Sequence, residues 1–144
     1  MALKPSSLDE KIKEVRQAAL RYCGTADTNL KHALIQAEER LNHAKREFLR
    51  LEEETSKLTS KYSLKRLSRI MEITNSIVDQ KPMGTQDLKP SDIDAIRRYY
   101  IPYVQQKKVI EMRSKEFELI QRRIALNAEI YMQYKEELDN VTTE

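Results

Sequence analysis

Few side chains in this chain could do chemistry, and their spacing limits what they can do. His32 and His43 stand eleven residues apart. On a helix they would share a face but lie about 16 Å apart along the axis, too far for one metal ion. Neither has a Cys, Asp or Glu partner at a ligand spacing, so no metal centre is expected. Cys23 is the single cysteine and has no histidine within a local nucleophile motif. It reads as a small hydrophobe at a helix end. Glu52-Glu53-Glu54 and Glu136-Glu137 are adjacent carboxylates. Neighbours on a helix diverge by about 100°, so they do not converge on one substrate atom. Two glycines cannot build a loop that cradles phosphate. These residues predict a protein that is not an enzyme, with no cofactor and no small-molecule substrate.

Charge is more informative. The net charge of +3 is unevenly spread: residues 1–56 are neutral, residues 57–108 carry eleven basic against five acidic side chains, and residues 109–144 carry five against eight. The basic middle includes Lys65, Arg66, Arg69, Arg97, Arg98, Lys107 and Lys108, with Tyr62, Tyr99, Tyr100 and Tyr103 interleaved. Such a cluster could attract a polyanion: nucleic acid, an anionic membrane face, or an acidic protein surface such as tubulin. Ordinary solvated helix surface has the same composition, and no nucleic-acid-binding module signature is present.

Long helices must position these charges. Ile96, Tyr103, Ile110, Phe117, Ile124, Tyr131 and Leu138 recur every seven residues. Leu30, Leu34, Ala37, Leu41, Ala44, Phe48, Leu51, Thr55, Leu58 and Tyr62 alternate in steps of four and three. Both are coiled-coil seams. Mixed charges flank them, among them Glu38, Lys45, Glu52, Lys107, Glu116 and Arg123, as in pairs that select partner and orientation. The predicted fold is all-α: a long antiparallel coiled-coil helical hairpin with a short N-terminal helix, an elongated two- to three-helix bundle.

The punctuation predicts a flexible N-terminus over residues 1–7 and one helical domain over residues 8–144. Ser7-Leu8-Asp9-Glu10 fits a capping box opening a helix over 8–23, and Gly24 fits its end. A second helix is expected over 28–80, with a stutter or break near 60–63 where the apolar phase slips. Lys81-Pro82-Met83-Gly84-Thr85 through Lys89-Pro90 is the loop, 81–90. The last helix, 92–140, should kink at Pro102. One loop near residue 85 would bring residue 62 near residue 108, and residue 30 near residue 140.

A second apolar stripe runs along the last helix. With Ile96 at heptad position a, Val109 and Ile130 fall at g, and Met112, Leu119 and Leu126 at c. A two-helix hairpin would leave these in water, so they require another helix. The N-terminal stripe of Leu8, Ile12, Val15, Ala19 and Tyr22 is one candidate, folded back at Gly24, and a second protein is the other. The leading functional expectation is a non-catalytic assembly subunit of a larger intracellular complex, docking other helical chains in a hetero- or homo-oligomer. A polyanion-binding protein is the alternative, and a viral structural protein fits the composition as well. With no signal-peptide run, no transmembrane segment and one cysteine, the chain is expected to be soluble and intracellular, in cytoplasm or nucleus.

Overall fold

The computed structural model describes residues 5–143. It is all-α, and no strand occurs among the described residues. The elements are α1 (Pro5–Thr59), α2 (Leu64–Val78), α3 (Pro90–Ala95), a π-helical turn (Ile96–Tyr100) and α4 (Ile101–Thr143). None of these helices is long and apolar enough to cross a membrane. The chain forms two compact units: Glu39–Lys115, and the segments up to Glu38 and from Glu116 onward.

The expected helix over 8–23 is part of α1, which runs through Gly24 without a turn. Interior glycine costs a helix only about 1 kcal/mol, and the ordered residues on both sides outweigh that. The Thr25 and Thr28 hydroxyls donate back to the Arg21 and Gly24 carbonyls at 3.1 and 3.2 Å, as helical threonines do. Ser7 therefore lies within a helix and does not cap one. Of the expected flexible segment 1–7, residues 1–4 lie outside the described residues, and Pro5 to Ser7 are helical. Pro5 suits a first turn, where its missing N–H costs nothing.

The long second helix expected over 28–80 is divided. α1 stops at Thr59, Ser60 to Ser63 turn, and Ser63 caps α2 by accepting the Arg66 N–H at 3.3 Å. At its other end, Gln80 N–H donates to the Ile77 carbonyl at 3.0 Å and Lys81 N–H to Ser76 at 2.7 Å. That is a Schellman ending, with Gln80 (φ 59°) in the left-handed position. The last helix changes its winding just before Pro102. Pro102 has no N–H for the Arg98 carbonyl, and its ring would press on that oxygen. The preceding turn is wound wide instead, with Ile101 N–H donating to the Ile96 carbonyl five residues back.

In the Glu39–Lys115 unit, α1 and α4 run antiparallel, and α2 and α3 complete the core. Ile70 and Ile73 of α2 meet Ala95, Ile96 and Tyr100, with Leu58, Tyr62, Leu67 and Met83 around them. Each fully buried isoleucine contributes about 1.5–3 kcal/mol. The Tyr100 hydroxyl lies 3.1 Å from Thr59 Oγ1, and Phe48 stacks on Tyr103 with centroids 5.1 Å apart. Gln106 Nε2 donates to the Ala44 carbonyl at 3.1 Å.

Asp92 fastens α2 to the start of α3. It is buried, and it accepts from Arg66 Nε at 3.2 Å, from a terminal nitrogen of the same guanidinium, and from Lys89 N–H at 2.9 Å. Each carboxylate oxygen has a charged or helix-end donor.

In the other unit, α1 and α4 again run antiparallel. Arg16 Nε lies 3.7 Å from the Glu137 carboxylate, and Asn127 Nδ2 donates to the Cys23 carbonyl at 2.8 Å. The register differs from the expectation, because α2 folds back as a separate helix. Residue 44 meets residue 106, and residue 23 meets residue 127.

Two substitutions test this assignment. No atom lies within 4 Å of where a Cβ would stand on Gly24, so Gly24→Ala should raise unfolding stability by about 0.5–1 kcal/mol in urea melts. A loss would mean the helix does not pass through that residue. Asp92→Ala should cost about 2–3 kcal/mol by leaving Arg66 and the Lys89 amide unpaired.

Candidate docking face and basic surface

The seam phase of α1 places Leu34, Leu41, Phe48 and Thr55 at a, and Leu30, Ala37, Ala44, Leu51 and Leu58 at d; all are buried or half-buried. Carried toward the N-terminus, the same phase puts Lys13, Leu20 and Asp27 at a, and Arg16 and Cys23 at d. Those side chains are buried or half-buried too. The apolar residues Leu8, Val15 and Tyr22 fall at c, with Ile12 and Ala19 at g. An uninterrupted helix keeps one phase, so its seam takes polar residues here while the apolar stripe turns away.

α4 repeats the pattern. Phe117, Ile120, Ile124, Asn127 and Leu138 occupy a and d and are half-buried, while Leu119 and Leu126 at c and Ile130 at g are exposed. In an antiparallel pair the g positions of both helices meet on one flank and the e positions on the other. The c/g stripes of α1 and α4 therefore share a flank. Exposure follows that geometry. The g residues Ile12 and Ile130, beside the seam, are 38% and 36% exposed, whereas the c residues Leu8, Val15, Tyr22, Leu119 and Leu126 range from 49% to 75%.

Of the predicted docking residues, Leu8, Ile12, Val15, Leu119, Leu126 and Ile130 thus fall on one flank of this unit by heptad position, at different levels: Leu8, Ile12 and Val15 beside the last turns of α4, Leu119 and Leu126 beside residues 24–31 of α1. Val109, half-buried, and Met112, exposed, belong to the Glu39–Lys115 unit. Tyr22, the last residue of the N-terminal stripe, falls at c on the same flank and is exposed.

The basic residues separate by type. Arg66 pairs with Asp92, Arg69 with Asp87 (2.8 Å) and Glu72 (3.5 Å), Arg97 and Arg98 with Asp94 (3.4 and 3.0 Å), and Lys108 with Asp79. All five acids of residues 57–108 are engaged. Lys57, Lys61, Lys65, Lys81, Lys89 and Lys107 are exposed and have no ion-pair partner among the described residues. A cleft of about 460 Å³ is lined by Lys65, Arg66, Arg69, Asp87 and Asp92. Its guanidinium groups are already bound to carboxylates and offer no vacant fork to a phosphate.

Asp94 with Arg97 and Arg98 was readable as helical neighbours three and four apart. The other cross-element partners lie 18 to 29 residues distant. Segment charge counts carried no sign of them.

His32 and His43 are both exposed, with His32 Nε2 3.3 Å from Gln36 Nε2, and no metal-holding group of three His, Cys, Asp or Glu occurs among the described residues. Cys23 is buried in the α1–α4 seam. Comparisons of the chain with protein-family models, curated proteins and solved structures find no match.

The exposed ion pairs make acid stability predictable. The hydrogen bond from Lys108 holds the Asp79 carboxyl below its ordinary range, and that from Arg69 does the same for Asp87. Lowered folded-state values stabilise the fold above the unfolded carboxyl range and lose that contribution as pH falls through the folded values. Urea midpoints should therefore decline below about pH 4. The decline should be shallower in the Asp79→Asn and Asp87→Asn chains, and an equal decline in all three would show that these pairs do not form.

Proposed function

We propose that this chain is a non-catalytic assembly subunit whose work is to dock other helices. The observation that supports this reading is the c/g face of α1 and α4, where Leu8, Val15, Tyr22, Leu119 and Leu126 remain exposed on one flank of the helix pair. Scattered exposed apolar residues are ordinary, but a periodic stripe on each of two paired helices is the pattern of a second coiled-coil seam. With residue 23 beside residue 127, the two stripes follow one another along the flank and meet near Tyr22 and Ile130, so a docked helix would pass from one to the other.

Binding of a polyanion is the second reading, favoured by the six unpartnered lysines of residues 57–108. Lysines Lys57, Lys61, Lys65, Lys81, Lys89 and Lys107 would carry it, since Arg66, Arg69, Arg97, Arg98 and Lys108 are committed to carboxylates. Long, separately hydrated ammonium groups suit non-specific backbone contact more than shaped recognition.

Affinity purification of the native chain, with and without nuclease, separates the two. Docking predicts defined protein partners that survive nuclease and are lost from a chain carrying Leu119→Asp and Leu126→Asp. Because both residues are exposed, that variant should keep its helical circular dichroism and unfold within about 1 kcal/mol of the parent. Undiminished partner retention by the variant would refute docking through this face. Retention that collapses with nuclease and falls steeply with salt would favour the lysines.

A further inference from the structure

We propose that the exposed stripe of α4 docks a second copy of this chain, α4 against α4, antiparallel about a two-fold axis. The inference rests on the docking reading above and names the occupant of part of that face. Its ground is the charge beside the stripe. The row next to c and g is position f, where Arg122 and Glu129 stand seven residues apart on α4. Both are exposed, and neither has an ion-pair partner among the described residues. At about 1.5 Å per residue they are some 10 Å apart along the helix, too far to pair with each other.

Heptad geometry fixes what an antiparallel neighbour would meet. When Leu119 packs against Ile130 of the second copy, the flanking row brings Arg122 against Glu129 of the second copy. The two-fold axis repeats the contact with the roles exchanged. Two apolar layers and two ion pairs then form together, without adjusting the register. Closed homodimers require this self-complementarity, because every contact from residue i to residue j must recur from j to i. A foreign helix would need no sign reversal along this row. The reversal from Arg122 to Glu129, centred on the same axis as Leu119 and Ile130, favours a second copy.

One residue works against tight association. The same register sets Arg123, at g, against Leu126 of the second copy. Its methylenes cover the leucine while the guanidinium reaches for water, and the two arginines near the axis repel. The interface is therefore a specific but moderate one, and Arg123→Leu should tighten it.

Sedimentation equilibrium of the full chain over rising concentration is the test. The wild-type chain should dimerise. Arg122→Glu and Glu129→Arg, each of which turns both ion pairs into like-charge contacts, should each raise the dimer Kd about tenfold. An equimolar mixture of the two variants, and the chain carrying both changes, should recover wild-type association, since opposite charges face one another again. Circular dichroism of the single variants checks that their folds are intact. A wild-type chain that stays monomeric into the millimolar range overturns the proposal, as does a dimer indifferent to both swaps. Swaps that weaken it without recovery on mixing overturn it as well. If the chain is monomeric but Leu119→Asp with Leu126→Asp still removes protein partners in purification, the occupant is foreign and the docking function stands.

Discussion

The unbroken helical phase of α1 governs how this protein uses its apolar residues. A helix can present only one seam to one neighbour, and the sequence from Leu30 to Leu58 fixes which face that is. With no turn at Gly24, the N-terminal stretch inherits the phase. Lys13, Arg16, Cys23 and Asp27 are carried toward α4, and Leu8, Val15 and Tyr22 are carried away. A break at Gly24 would have let the first twenty residues rotate and bury their own stripe. Continuity of the backbone thus takes precedence over local burial, and an apolar face is left exposed. The same hierarchy explains Asn127 and Gln106, d-position amides in different units. Each donates to the carbonyl of an α1 d residue, which ties the register by a directional bond where apolar packing alone would permit slippage.

A second hierarchy orders the charges. Among the basic residues of positions 57–108, all four arginines are spent on carboxylates, and Arg66 and Arg69 each hold theirs through two nitrogens. Asp92 is the most demanding of these partners, because it is buried and would destabilise the α2–α3 connection if left bare. Lysine, a flexible point charge with a strongly hydrated head, is left to face solvent. The net positive charge of this region therefore remains on the side chains least suited to shaped recognition and best suited to long-range attraction.

Much of this was legible in the sequence, because heptad spacing reports directly on which residues share a helix face. The seam from Leu30 to Leu58 has the burial that its spacing implies, as does the other from Phe117 to Asn127 and at Leu138, but Tyr131 at a and Tyr134 at d are exposed. The c/g stripe of α4 was equally visible and is exposed. Three features were not legible, each for a physical reason. Gly24 looks like a stop because glycine is common at helix ends, yet its cost inside a helix is small against the ordered turns on either side. The fold-back of α2 shifts the register of the entire pair, and nothing local announces how far. Arg66 and Asp92, or Lys108 and Asp79, are joined by tertiary placement across 26 and 29 residues, so summed charge could locate the basic region but not its free part.

The polarity of the N-terminal seam has a consequence for folding. In the unit that contains it, Lys13, Arg16 and Asp27 supply little of the transfer free energy that leucines at the same heptad positions would supply. The ion pairs at hand, Arg16 with Glu137 and Lys31 with Asp27, are partly exposed and contribute modestly. Farther along the same unit the seam is apolar, at Leu30, Leu34, Ala37, Phe117, Ile120 and Ile124, so the weak stretch is the N-terminal one. On the docking proposal, association and ordering of this unit would be linked by mass action, since an occupant of the flank would bind the ordered pair. The polar N-terminal seam and the apolar flank are two consequences of one unbroken phase, which sets on the outside of the pair the residues that could have made this stretch of its seam apolar.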